Sequence, residues 1–281
     1  MPKVSVLTPI YNTKPEHLRE CIESVLNQTF TDFEFLILND SPDNQEIEKI
    51  VKEYAKHDKR IKYSKNTKNI GITKSRNKLL KMARGEYLAV FDHDDISMPD
   101  RLEKEVKYLD ENPDVGMVSG WIELFGDKKL IRKMPENDKQ IKIFLTDNNW
   151  MSHTASMIRR SVLINNNIEY EEFFSPAEDY RLCACLMDVT KFHNIQKVLV
   201  KYRMFDKNTS VVQKIKMTEK HNIIQQFISN KYPMLRKEFD NNYNQGTRLR
   251  LRLFGFIPML KIKNNTVYLF EFLPIFKIKW R

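Results

Sequence analysis

Three carboxylates in four residues, Asp92, Asp94 and Asp95, with His93 among them, follow directly on the apolar run Tyr87 to Phe91. Acids crowded at the carboxyl end of a buried strand repel one another and lose hydration. A cation or a hydrogen-bonded ligand relieves both costs. Two readings of the segment stand side by side: a ligand-facing acidic loop, or a solvated Asp-rich turn of the kind common after strands. A second acidic pair, Glu178 and Asp179, stands where a helix begins, and Asp179 is a natural cap for it. Between Asn66 and Asn77 the sequence NTKNIGITKSRN leads into another helix. Gly71 there permits a positive φ, and the helix start with Lys74 and Arg76 can hold an anion.

These groups need a scaffold, and the hydrophobic pattern supplies one. Strands are predicted at Lys3 to Thr8, stopped by Pro9, then at Phe33 to Leu38, Ile61 to Ser64 and Tyr87 to Phe91. Helices are predicted at Pro15 to Asn27, Glu46 to His57, Thr73 to Ala83 and from Met98 to Leu109. That alternation argues for right-handed βαβ units and a parallel sheet, whose ligands bind beyond the carboxyl ends of its strands. A further strand is predicted over Val115 to Leu124. The pattern then loosens: a helix over Lys139 to Leu145, a polar loop over Asn148 to His153, strands at Ala155 to Ile158 and Lys197 to Met204, and helices at Asp179 to Met187 and Thr218 to Tyr232. Leu253 to Lys263 matches Leu269 to Lys279 at seven of eleven positions, and the two copies, joined at Lys263-Asn264-Asn265, read as a β-hairpin element.

The 281 residues suffice for one large domain with an appendage. Three cysteines, Cys21, Cys183 and Cys185, without metal-finger spacing fit a reducing compartment. With no signal peptide pattern and no long apolar run, a cytoplasmic protein is expected. The net charge of +10 is concentrated at the end, where residues 245–281 hold eight basic residues against the single acid Glu271. Such a tail suggests an acidic partner surface, phospholipid or nucleic acid.

Several segments, in order, resemble the family 2 glycosyltransferases, inverting enzymes of the GT-A fold that use nucleotide-sugar donors. They are Val6 to Asn12, the Asn39-Asp40-Ser41 turn, Asn69 to Asn77, Asp92 to Asp95 and Glu178-Asp179, within roughly residues 3 to 210. The resemblance implies an α/β GT-A domain with a mostly parallel central sheet over 1–210, and a helical, basic-apolar extension over 211–281. It implies that Pro9, Tyr11, Asp40, Asn69, Arg76, Asp92 and Arg203 face the donor, with Tyr11 bordering the base and Asp40 accepting from uracil or ribose. Arg76 either meets phosphate or fixes the acidic loop. Asp94, aided by Asp92, would hold Mn²⁺ or Mg²⁺, since hard cations prefer carboxylate and phosphate oxygens, and His93 would stand behind them. Asp179 matches the family's base. Glu178, His153 and Trp150 would belong to the acceptor side. Lys201 to Phe205 resembles a late segment in which histidine is frequent at the position of Phe205, leaving Arg203 for the diphosphate.

The implied reaction is transfer of a hexose, from a UDP-sugar, to a saccharide of a surface glycolipid or polysaccharide, such as lipopolysaccharide or capsule. The alternatives are a sugar-1-phosphate nucleotidyltransferase, for which Thr8 to Asn12 lacks the glycine-rich loop, and a nucleic-acid-binding protein, against which the charge is confined to the tail. Nucleic acid is therefore not an expected partner. The tail would instead hold the enzyme peripherally on the anionic cytosolic face of the inner membrane.

Overall fold

The computed structural model describes residues 1–127, 129–205, 209–243, 250–253, 257–263, 266–269 and 273–277. The chain forms two compact units, Met1–Lys231 and Tyr232–Arg281. The first unit therefore runs past position 210 and includes the long helix α9 (Lys214–Lys231).

The first unit is built on β1 (Val4–Ile10), β2 (Phe33–Asn39), β3 (Ile61–Lys65) and β4 (Tyr87–Val90). They lie side by side, all parallel, in the order β3-β2-β1-β4. Every residue of β1 and β2 is buried, which is why both read as unbroken apolar runs rather than alternating ones. Pro9 does not stop β1. It pairs with Leu38 of β2 at a point where β4 has already ended, so its missing N–H costs no ladder bond on that side. Helix α1 (Pro15–Leu26) opens on a proline and buries Leu18, Cys21, Ile22 and Val25 at helical spacing. Helix α2 (Gln45–His57) is capped by Asn44, whose side chain accepts from the Ile47 amide at 3.2 Å. Helix α3 (Ile72–Met82) returns the chain to β4 through Gly85. A Cβ on Gly85 would stand 2.5 Å from the Ser5 nitrogen, so only glycine lets the chain pass β1 this closely.

Beyond β4 the sheet is mixed. β8 (Met157–Arg159) runs antiparallel to both β4 and β6 (Val115–Gly126), and β9 (Lys191–Met204) runs parallel to β6. Two strands too short to show periodicity complete it. β5 (Ile96–Ser97) pairs with Val200 and Lys201, and β7 (Leu130–Arg132) pairs with β6. Helices α4 (Arg101–Glu111), α5 (Asp138–Leu145), α6 (Arg160–Asn165), α7 (Glu178–Leu186) and α8 (Thr209–Val212) fill the remaining positions of this unit. β9 begins six residues earlier than the apolar pattern suggests, because Lys191 to Gln196 mixes polar residues into a strand shielded on one side by α5. No helix among the described residues is long and apolar enough to cross a membrane.

The second unit holds α10 (Pro233–Asn242) and four antiparallel strands, β10 (Arg250–Leu253), β11 (Ile257–Lys263), β12 (Thr266–Leu269) and β13 (Leu273–Lys277). The expected hairpin is present, with Lys263 of β11 facing Thr266 of β12, and each copy adds a further pairing: Leu253 faces Ile257 in one and Leu269 faces Leu273 in the other. The side chains from which an anionic-surface role was read lie outside the described residues.

Candidate active site

Asp92 to Asp95 leave the sheet at the carboxyl end of β4, and three fully buried contacts fix where they start. Arg101, 1% exposed, donates to the Val90 carbonyl at 2.9 Å and to the Ser156 carbonyl at 3.2 Å. Its charge is met by Glu105, whose pKa burial pushes up to about 7. The Thr8 hydroxyl donates to the Phe91 carbonyl at 2.9 Å. The Ser156 carbonyl also accepts from the Val90 amide at 2.9 Å, so these bonds lock the end of β4 to its neighbours.

The four residues then divide. Asp95 turns inward: it accepts from the Thr154 hydroxyl at 2.8 Å and from the Arg203 amide at 2.9 Å. Burial, followed by the charges of Asp94 and Asp92, holds its pKa well above the usual carboxylate range. The β5–β9 pairing brings Arg203 there, and its Nε donates to the Asp94 carbonyl at 2.8 Å while its guanidinium pairs with Glu20. Asp92 accepts from Arg76 at 3.1 Å. No side-chain donor to the Asp94 carboxylate is found among the described residues, and burial raises its pKa, with neighbouring His93 opposing. Asp94 is thus a desolvated acid that forms no ion pair with a Lys or Arg among the described residues.

Arg76 joins this loop to the second acidic pair. Its guanidinium reaches Asp92 on one side and Glu178, at 2.5 Å, on the other. Burial works against its charge, and the two carboxylates outweigh that, so its pKa is raised. The alternative of fixing the acidic loop is what these contacts display. Glu178 and Asp179 occupy the first turn of α7, where acids complement the helix dipole. Asp179 accepts from the Asn149 side chain at 3.0 Å. Its pKa is raised by burial, with Arg76, the Tyr180 amide and Asn149 pulling it back.

At the end of β2, Asp40 is 3% exposed and faces its own protein: it accepts from Asn66 at 2.7 Å, the Ile70 amide at 2.9 Å and the Gly71 amide at 2.9 Å. It thereby shapes the loop before α3. Asn69 accepts from the Gly71 amide at 2.9 Å, and Gly71 takes φ +86. A Cβ there meets nothing within 4 Å, so Gly71→Ala is strained by backbone alone. It should cost about 1–2 kcal/mol in a denaturation curve, lowering Tm without steric blockage of the site. Tyr11 stands 51% exposed past β1, next to Asn12 at φ 45.

His153 lies in the interior. Its Nε2 is 2.8 Å from the Tyr170 hydroxyl, and burial, then the charges of Arg76 and Arg101, drive its pKa well down, so it is neutral. Trp150 is half-buried, edge-on to Phe144 at 4.9 Å. Phe205 packs 5.9 Å from His17 of α1. Sequence reasoning passed over Asn149, Thr154 and Tyr170. Each lies in a loop or short turn with no periodic pattern, and only the fold brings them to the acids.

No group of three or more His, Cys, Asp or Glu among the described residues converges as a metal cage. Asp92 and Asp94 nonetheless fit a hard divalent cation: both offer carboxylate oxygens, and their loop carries more negative than positive charge. A cation here would take its remaining ligands from water or a bound diphosphate.

Comparison with known proteins agrees with this arrangement. An uncharacterized glycosyltransferase of Methanocaldococcus jannaschii is 38% identical over 208 residues, spanning 72% of this chain and 71% of the relative. The O-antigen biosynthesis glycosyltransferase WbnJ of Escherichia coli is 32% identical over 195 residues, 67% and 74% of the two chains. The crystal structure of S. aureus TarS 1–349 in complex with UDP-GlcNAc superimposes with a TM-score of 0.64 at 19% identity, covering 86% of this chain and 76% of TarS, so the fold is that of the GT-A glycosyltransferases. Residues 5–166 match the family model for glycosyl transferase family 2, and with this match and these relatives the chain belongs to that family.

Proposed function

We propose that this glycosyltransferase moves a hexose from a UDP-sugar, with inversion, to a saccharide acceptor of a surface glycolipid or polysaccharide. The observation that carries the reading is the Arg76 bridge, whose guanidinium ties Asp92 to Glu178, and so the acidic loop that carries Asp94 to the turn of α7 that carries the candidate base Asp179. The UDP-GlcNAc bound by TarS and the O-antigen role in the name of WbnJ support the donor and acceptor classes. Donor contacts are assigned to Pro9, Tyr11, Asp40, Asn69, Arg76, Asp92 and Arg203. For Asp40 the role is indirect, through the loop that it ties down.

Asp179 takes the proton of the acceptor hydroxyl. The freed oxygen bonds to the anomeric carbon from the face opposite the nucleotide, and the bond from that carbon to the diphosphate oxygen breaks, releasing the nucleoside diphosphate. Asn149 holds one carboxylate oxygen of Asp179, leaving the other for the proton. Asp94 and Asp92 would hold a divalent metal, Mn²⁺ or Mg²⁺, which when bound stabilises the charge on the departing diphosphate. Glu178 keeps Arg76 in place beside them. A donor screen tests the reading: thermal stabilisation by UDP-sugars in the presence of Mn²⁺, greater than by GDP- or TDP-sugars, is the expected result. No shift with any nucleotide sugar would remove it.

A further inference from the structure

Arg132, the last residue of β7, is a half-buried cation with no carboxylate among the described residues to meet it. Arg76, Arg101, Arg181 and Arg203 each face an acid. Arg132 has instead the ring of Trp150, 5.5 Å away, and a long 3.5 Å contact from Nη2 to the Asn149 carbonyl. Burial lowers its pKa and the nearby Tyr202 only partly offsets that. A half-buried guanidinium with no carboxylate partner keeps N–H donors available to an anion, which it can meet with two parallel bonds. Beside it Lys133 lies over the ring of Trp121 at 4.9 Å, its ammonium exposed and also without a carboxylate partner among the described residues.

Arg132 of this cationic pair stands one residue away from the proposed base, through Asn149. Asn149 receives Arg132 on its carbonyl and donates its side-chain amide to Asp179 at 3.0 Å. Trp150 lies beside Arg132 and Trp121 beside Lys133, and both indole nitrogens are buried without a protein partner among the described residues. Flat aromatic faces suit a sugar ring, and two cations beside them suit an anion attached to it.

We infer that the acceptor is an anionic saccharide, carrying a phosphate or a carboxylate that seats on Arg132 and Lys133 beside Trp150. The inference rests on the glycosyltransferase reading and narrows its acceptor. Arg132 and Lys133 are binding residues for that anion, and Asp179 works on a hydroxyl close to it.

Tryptophan emission reports the site directly, because two of the three tryptophans, Trp121 and Trp150, flank the cations. Full-length protein is titrated with glycerol 3-phosphate against glycerol, and with glucuronate against glucose, each with and without saturating UDP. The expected result is a saturable change with an anionic probe, persisting in UDP, roughly tenfold or more tighter than with its neutral counterpart. Arg132→Gln and Lys133→Gln should each weaken it by about the same factor. Which probe saturates separates a phosphate-bearing acceptor from a carboxylate-bearing one. Equal response to neutral and anionic probes, or displacement of the anion by UDP, overturns the inference. So does an unchanged response in Lys133→Gln, whose exposed side chain can be replaced without disturbing the fold. UDP binding in the same titrations bears on the glycosyltransferase reading alone: if it persists while anions fail, only the acceptor class falls.

Discussion

Asp179→Asn should lower kcat by about 10²–10⁴-fold while leaving nucleoside diphosphate affinity near that of the unaltered enzyme. The amide keeps the size of the carboxylate and still accepts from Asn149, so the start of α7 keeps its geometry. What it lacks is basicity. The pH profile sharpens the test. Burial raises the Asp179 pKa above that of an exposed aspartate, about 3.9, and a base acts only when ionised. Transfer is therefore full above the raised value and declines as pH falls through it, so the acid limb lies at higher pH than a surface aspartate would place it. In Asp179→Asn the residual rate should lose that limb. Parallel losses of turnover and diphosphate affinity would instead place Asp179 on the donor side.

Why this candidate base and its setting were partly legible in the sequence is a matter of range. β1, β2 and β4 announce themselves because strands buried on both faces must be apolar along their whole length. Helices α1 and α2 show their buried stripe at helical spacing. The acidic residues stood out through their crowding. What the sequence hid is pairing at a distance. β5 and β7 have two and three residues, too few for any period, yet β5 carries Arg203 to Asp95 and β7 carries Arg132 to Asn149. Asp94 and Asp95 are equivalent as letters; in the fold one is held by Thr154 and the Arg203 amide, and the other is not. The family resemblance alone puts His153 on the acceptor side, and what the sequence hid is its buried contact with the distant Tyr170 hydroxyl. Asp40 follows a strand as a ligand-binding acid would, and the loop amides of Ile70 and Gly71 occupy it.

That division between Asp94 and Asp95 yields the other large effect. Asp94→Asn should weaken Mn²⁺ binding in the presence of UDP by about 100-fold or more, since even residues that only orient metal ligands contribute 10–100-fold. The fold should survive, because the loop is held through the Asp94 carbonyl by Arg203 and through the neighbouring Asp95 by Thr154, and neither contact uses the Asp94 carboxylate. Calorimetric titration of Mn²⁺ into the UDP complex, beside a melting curve, measures both. The raised pKa of Asp94 adds a direction: its carboxylate binds metal when ionised, so affinity is retained above that pKa and lost as pH falls through it. Transfer should fail together with metal binding in the variant and in the unaltered enzyme treated with chelator. Wild-type Mn²⁺ affinity in Asp94→Asn would move the metal to other residues, and undiminished transfer in chelator would leave Arg76 and Arg203 as the groups that neutralise the departing diphosphate.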